Sequence, residues 1–231
     1  MTGRKARNKS GSDTRGQVLA AACEVFAERG FGGATIAEIC EKAGANIATV
    51  NYYFHDKESL YVEAWREAFH RGLEAYPPDG GVPAGAPPAK RLRGRITALV
   101  RRVHDRANFE FRIVQKELAH PTGLLDEVLR ECIRPLRQGM ADVVRELLGA
   151  EAPEVQVVLC ARSIGSQCMH MLMHGRPGAG GGRGARGGSP AAMDVEAEAI
   201  ADHVVRFSLA GIRQVRRAQR RGNGGGTGTK R

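Results

Sequence analysis

The chain has 231 residues, 42% of them hydrophobic, enough to build one large domain or two small ones around a sizeable core. No apolar run approaches the ~20 residues that a membrane-spanning helix needs, and the basic start MTGRKARNKSGSD has no apolar stretch behind it; neither a membrane partner nor a secretory leader is expected, and the protein is expected in the cytoplasm. The net charge of +10 is concentrated at the ends: Arg4, Lys5, Arg7 and Lys9 give +4 before Ser10, the residues after 211 give +7 with no acid, and the body between is close to neutral.

In chain order, residues 1–12 read as a flexible basic arm. A helix signal begins near Ser12 or Asp13, both good N-caps, and Val18, Leu19, Ala22, Cys23 and Phe26 form its apolar stripe. ERGFGGAT ends that helix with Gly30 and turns the chain. TIAEICEKAG is a second, short helix, with Thr35 and Glu38 in capping-box spacing and Gly44 as its stop. ANIATVNYYF is a third, of about two turns, too short to be stable alone. HDKESLYVEAWREAFHRGLEAY is longer, capped by Asp56, with Leu60, Tyr61, Ala64, Trp65, Ala68 and Phe69 on one face.

The stretch PPDGGVPAGAPPA, residues 77–89, reads as a Pro/Gly linker and a domain boundary. Every segment beyond it reads helical: 90–107, 109–119 ending at His120-Pro121, 122–148 with Pro135 as a kink, 153–174 rich in Met and Cys, and 192–219. Between the last two, GRPGAGGGRGARGGSP (175–190) has the composition of a disordered loop, and 220–231 that of a disordered tail. There are no strand signals, so the expected fold class is all-α with about nine helices.

Two short helices joined by GAN and packed on a preceding helix have the layout of a helix-turn-helix, here over residues 35–54. On a helical wheel Val50 and Phe54 point inward, Ala45, Ile47 and Tyr53 lie at the edges, and Ala48, Thr49, Asn51 and Tyr52 point outward. Small residues at its start let such a helix sit deep in a major groove. Asn reads adenine through N6 and N7, and the Ala and Thr methyls suit thymine methyls. Tyr and Thr hydroxyls and the Lys57 ammonium reach phosphates.

Residues 14–61, TRGQVLAAACEVFAERGFGGATIAEICEKAGANIATVNYYFHDKESLY, resemble the DNA-binding domain of the TetR family of transcriptional repressors. Several spaced elements carry the resemblance: VFAERGF, AEI, AGAN followed by ATVNYYF, and DKESLY. FRIVQKELAHPTGLLDEVLRECIRPL followed by CARSIGSQCMH is similar to one C-terminal type found in some members. The resemblance implies a DNA-binding domain at 13–76 and an effector-binding and dimerisation domain at 90–219. It implies a homodimer on a palindromic double-stranded DNA operator, released by a small-molecule effector, with no cofactor and no catalytic activity. Carried over by position, Ile47, Ala48 and Asn51 would face base edges, and Thr35, Thr49, Tyr52, Tyr53 and Lys57 would hold phosphates. Ile47 is apolar where many members place a polar base reader. Residues 10–76 hold six basic and ten acidic side chains, so the basic arm is expected to add backbone contacts.

Other features carry less. The five cysteines form no CxxC pair, which argues against a disulfide framework or a Cys-only zinc site. His170 and His174 are spaced i, i+4 beside Cys168, Met169, Met171 and Met173, which leaves open a metal- or redox-sensing regulator using Cys168, His170 and His174; a ligand-independent DNA-binding regulator is the other alternative. Arg112, Glu117, His120, Cys168 and Met171 are candidates for the effector pocket. SIGSQ lacks the G-x-S-x-G pattern and sits in a helix, so it supports no hydrolase reading.

Overall fold

The computed structural model describes residues 4–173 and 196–224 of the chain. Among these there are nine helices and no strand, the all-α class expected. They are α1 (Arg4–Gly33), α2 (Ile36–Ala43), α3 (Ile47–Phe54), α4 (Lys57–Ala75), α5 (Pro88–His104), α6 (Glu110–Ala119), α7 (Asp126–Leu148), α8 (Glu154–Met173) and α9 (Ala197–Gly224). The chain divides into two compact units: the described parts of Met1–Ala75 with Arg106–Cys132, and those of Tyr76–Asp105 with Ile133–Arg231. Residues 106–132, placed by sequence in the effector domain, therefore fold with the N-terminal helices.

In the first unit α1 packs against α2, α4 and α6. Its stripe of Val18, Leu19, Ala22, Cys23 and Phe26 is buried as the periodicity requires, as is the α4 stripe from Leu60 to Phe69. Phe26 meets Tyr61 edge-on at 4.8 Å, and Phe31 meets the same ring at 5.2 Å. Each such side chain contributes ~1.5–3 kcal/mol by leaving water, so these aromatics set the spacing of α1 and α4. The arm is not a coil up to Ser12: α1 begins at Arg4. No proline interrupts residues 4–12, so the helix continues upstream of the expected cap. At the other end Gly30 breaks α1 with φ 69° and ψ 177°. A side chain there would be strained, and its Cβ would come 3.3 Å from Cβ of Lys116 on α6.

The core of the second unit is built from four helices. Leu92, Ile96 and Val100 come from α5, Val143, Val144 and Leu148 from α7, Val157, Ile164 and Cys168 from α8, and Ala201, Val204, Val205 and Ile212 from α9. Exposed ion pairs such as Arg93–Asp202 and Arg101–Glu198 link α5 to α9 but contribute little, ~0–1 kcal/mol each. Pro135 lies inside α7. The Pro/Gly stretch 77–89 is a packed corner, not a loose linker. Gly80 has φ 65°, and a Cβ on it would fall 2.4 Å from the carbonyl oxygen of Gly94 on α5. Two glycines thus let backbone rest on backbone. The helix α9 runs to Gly224, beyond the expected end at 219. The 175–190 loop and residues 225–231 of the tail lie outside the described residues.

Candidate nucleic-acid interface

The second and third helices are fixed by local chemistry. Thr35 caps α2, its Oγ1 accepting from the Glu38 N–H at 3.2 Å, while the Glu38 carboxylate pairs with Arg29. Gly44 closes α2 in the left-handed conformation, φ 61°, with its N–H directed to the Cys40 and Glu41 carbonyls. Asn46 then opens α3. Its Oδ1 accepts from both the Thr49 N–H at 2.8 Å and the Thr49 hydroxyl at 2.9 Å. Sequence reading treated Asn46 only as part of the turn; an Asn directly before Ile47, with a hydroxyl residue two places further on, was the available signal for a cap.

Val50 and Phe54 are the two buried anchors of α3. The Arg15 guanidinium of α1 lies 5.1 Å from the Phe54 ring centroid and 3.2 Å from Oε2 of Glu63 on α4, so one side chain ties α1, α3 and α4 together. At the end of α3, His55 has φ 67°, the only non-glycine residue at positive φ among the described residues. Asp56 follows and caps α4, its Oδ1 accepting from the Ser59 N–H at 2.7 Å. That bond to the charged form holds the Asp56 carboxyl below its ordinary range.

The face left outward is Ile47 (54% exposed), Ala48, Asn51 and Tyr52 (77% exposed). Thr49 and Tyr53 are half-buried at its margins, Tyr52 and Tyr53 meeting edge-on at 5.0 Å, and Thr35 is exposed at the start of α2. Thr49 is less free than the wheel implies, because its hydroxyl is engaged by Asn46. Lys57 is half-buried and places its Nζ 4.4 Å from the Phe31 ring centroid. Most of the cations in this region are engaged by acids: Arg15 and Arg66 pair with Glu63, Arg29 with Glu38, Lys42 with Glu24 and Arg71 with Glu67. Among the described side chains between 14 and 76, Lys57 is the one cation without a carboxylate partner. The arrangement is an exposed amide, a phenol and small apolar groups on a rigid two-turn helix, with a cation at its edge. That set suits base edges and phosphates and offers no nucleophile–base pair.

The candidate effector residues are divided between the two units. Arg112, Glu117 and His120 belong to the first unit and Cys168 to the second. The Arg112 guanidinium stacks 5.5 Å from the Phe109 ring centroid, His120 is exposed at the end of α6, and Glu117 is buried and fully engaged by hydrogen bonds. Cys168 sits in the core of the second unit, where burial pushes its thiol up to about 12, the opposite of a reactive thiolate. The side chains of His170 and Met171, and all of His174, lie outside what the structure describes. Among the described residues no group of three His, Cys, Asp or Glu could hold a metal ion.

Comparison with known proteins agrees with this geometry. The family profile of bacterial regulatory proteins, tetR family, matches residues 18–64. The profile of the C-terminal domain of the HTH-type transcriptional dual regulator CecR matches residues 88–212, more than half of the chain. The chain is 29% identical over 166 residues to the HTH-type transcriptional dual regulator CecR of Shigella flexneri, covering 64% of this chain and 71% of that protein. A TetR-like transcriptional regulator from Rhodococcus sp. RHA1 has a similar fold, with a TM-score of 0.63 and 19% identity over 86% of this chain and 95% of that one. So has AibR, solved in complex with isovaleryl coenzyme A and operator DNA, with a TM-score of 0.63 and 18% identity over 84% of this chain and 97% of that one.

Proposed function

Since the chain belongs to the TetR family of transcriptional regulators, we propose that it is a ligand-responsive repressor that binds a palindromic operator as a homodimer and leaves it when a small molecule binds. The observation that carries this reading is the outward face of α3. Ile47, Ala48, Asn51 and Tyr52 are presented by a helix too short to stand alone, and the Asn46 cap and the Val50 and Phe54 anchors hold it rigid. In this reading Ile47, Ala48 and Asn51 meet base edges in the major groove. Thr35, Thr49, Tyr52, Tyr53 and Lys57 meet phosphates, and the basic residues before Ser10 add backbone contacts.

Two further observations support the dimer and the coupling. Val155 and Leu159 on α8 and Phe207 on α9 are large apolar residues left exposed, as expected of helices that pack against a second copy. The helix that follows the reading head, α4, is joined to α6 by the Tyr61–Glu117 hydrogen bond, so a displacement of α6 is transmitted to the base of α3. Effector and operator then oppose one another through a coupling of ~1–3 kcal/mol. A second reading, regulation in both directions, is favoured by the match over residues 88–212 to a domain named for a dual regulator.

The test is selection of bound duplexes from a random pool, followed by a promoter fusion carrying the selected site. The expected outcome is an inverted repeat and lower expression when the chain is present; higher expression supports the dual reading. Failure to enrich any sequence above the non-specific background would remove the proposal.

A further inference from the structure

Many arginines of the second unit are held by neighbours. Arg91 reaches Glu146 on α7, Arg145 bridges Asp142 and Glu154, and Arg95 lies against Gly139 of α7. Arg93 and Arg101 take Asp202 and Glu198, the two acids of α9. No acid follows Asp202 up to Arg231. Arg213, Arg217, Arg220 and Arg221 on α9 are all exposed, and among the described residues none has a carboxylate partner. Their spacing of i, i+4, i+7 and i+8 places them on one face of the helix, turned away from Ile212 and Val215, which pack in the core.

Two neighbouring side chains fix these turns. Arg216 donates to the Leu147 carbonyl at the end of α7 at 3.4 Å, and the Gln219 amide donates to the Gln156 side chain of α8. The arginine stripe is therefore presented by an anchored helix. It also works against that helix. Arg213 with Arg217, and Arg217 with Arg221, are like charges at i, i+4, and such pairs destabilise. Attraction between cations and a helix C-terminus fades within the last turn, so with α9 ending at Gly224 it does not account for Arg213 or Arg217. A polyanion laid along this face relieves the repulsion.

The same face selects the polyanion. The apolar side of α9 is used in the core of its own unit, which leaves none beside the stripe to enter a lipid surface. No aromatic residue occurs after Phe207, so the stripe has no platform for unpaired bases and no anchor of the kind that dominates protein interfaces. Every cation from 204 to 224 is Arg, whose forked donors match phosphate oxygens. The stripe runs ~12 Å along the helix axis, a length over which duplex DNA carries about seven phosphates.

We propose that the arginine stripe of α9 is a second nucleic-acid surface, which binds the phosphate backbone of duplex DNA without sequence preference on a stretch other than the operator read by α3. The surface does not rest on the repressor reading above; only its separation from the operator does.

The test is fluorescence anisotropy of the full chain with a labelled duplex of random sequence. The variant Arg213→Gln/Arg217→Gln/Arg221→Gln is compared with the parent. Glutamine keeps helix propensity and removes repulsion, so the melting temperature is expected to hold or rise. The slope of log affinity against log salt is expected to fall by ~2–3 per subunit. Lysine at the same three positions is expected to keep the slope. Lys90→Gln/Arg134→Gln/Arg137→Gln, an equal charge loss at exposed positions of the same unit, is expected to stay within about one of the parent. The parent saturated with a short unlabelled operator duplex is expected still to bind the random duplex, and the glutamine variant to lose this second binding while holding the operator as the parent does. The proposal is overturned if the glutamine variant keeps the parent slope, if it weakens the short operator as much as the random duplex, or if the operator-saturated parent takes up no second duplex. A larger loss on polyglutamate, or on phosphatidylcholine–phosphatidylserine vesicles, than on duplex also overturns it, in favour of an acidic protein or a membrane. If selection yields no operator, the repressor reading falls and the salt slopes on random duplex still decide the stripe.

Discussion

The Tyr61 hydroxyl on α4 donates a 3.0 Å hydrogen bond to Oε2 of Glu117 on α6. The same buried carboxylate accepts from the Thr122 N–H at 2.7 Å, the Thr122 hydroxyl at 2.8 Å and the Gly123 N–H at 3.0 Å. A buried carboxylate with every lone pair engaged is stable; the same donors without it are not. Glu117→Ala is therefore expected to cost ~2–4 kcal/mol, because it orphans the fully buried Tyr61 hydroxyl and loosens the turn after α6. Tyr61→Phe, which leaves a satisfied carboxylate, is expected to cost ~1 kcal/mol. Urea midpoints of the two single variants and the double variant check this, and strict additivity would show that the pair is not coupled.

The same contact makes a prediction about pH. Burial first, and then the Glu117 charge, push the Tyr61 phenol above its ordinary range. A folded-state pKa raised above the unfolded value of ~10 means that the contribution is complete below pH ~10 and is lost as pH rises toward the folded value. Stability of the parent chain should therefore fall between pH 9.5 and 11 more steeply than that of Tyr61→Phe. The difference in slope reaches at most ~1.4 kcal/mol per pH unit. Parallel curves for the two proteins in denaturant titrations across this range would remove Tyr61 as the source.

The reading helix was legible because its determinants are local. Thr35, Gly44 and the Val50/Phe54 spacing lie within a few residues of what they control, and each is where the pattern placed it. What was not legible depends on partners far along the chain. Gly80 reads as a mark of flexibility, yet its role is to let the chain rest on Gly94. Phe111, Ile113 and Glu117 of α6 form a buried face whose destination the periodicity cannot name; it packs on α1 and α4. Arg95 looks like one more solvated cation until Gly139 is placed beside it. The early start of α1 was missed for another reason: a good cap residue is only a preference, and a helix can run on through it where no proline stops it.

Asn51 and Lys57 should fail differently. Asn51 is exposed on the outward face of α3, which the proposal assigns to the major groove, so Asn51→Ala should cost ~1–3 kcal/mol per subunit against the selected operator and much less against random duplex. Lys57 lies over Phe31, outside any ion pair among the described residues, and is assigned to a phosphate. Lys57→Met should weaken both kinds of duplex alike and reduce the salt slope by about one per subunit. Fluorescence anisotropy at several salt concentrations resolves the two patterns. The assignment fails if Asn51→Ala weakens specific and random DNA equally.

The exposed apolar positions of the second unit give a prediction about assembly. Leu159 is exposed on α8, and Phe207 on α9 is 61% exposed with His203 stacked beside it at 6.1 Å. Neither contributes to the core of its own unit, so a charge at either position costs the monomer little. In a dimer formed through these helices it places a charge in a desolvated seam. Leu159→Arg and Phe207→Arg should therefore keep helical content and melting behaviour near those of the parent while shifting sedimentation from dimer to monomer. A variant pair that still sediments as a dimer would place the interface elsewhere.

The basic arm can be tested through salt alone. Arg4, Lys5, Arg7 and Lys9 carry four positive charges next to a region in which nearly every other cation is paired. Each phosphate neutralised adds ~0.9 to the slope of log affinity against log salt. Removing residues 1–9 should flatten that slope by as much as ~3–4 per subunit while leaving the preferred sequence unchanged, since backbone contacts carry no base information. Because α1 starts at Arg4, the deletion also shortens a helix, so the variant's melting curve must be compared with the parent's first. With stability matched, an unchanged salt slope means that the arm does not touch the duplex, and Lys57 with the helix ends must account for the whole electrostatic part of binding.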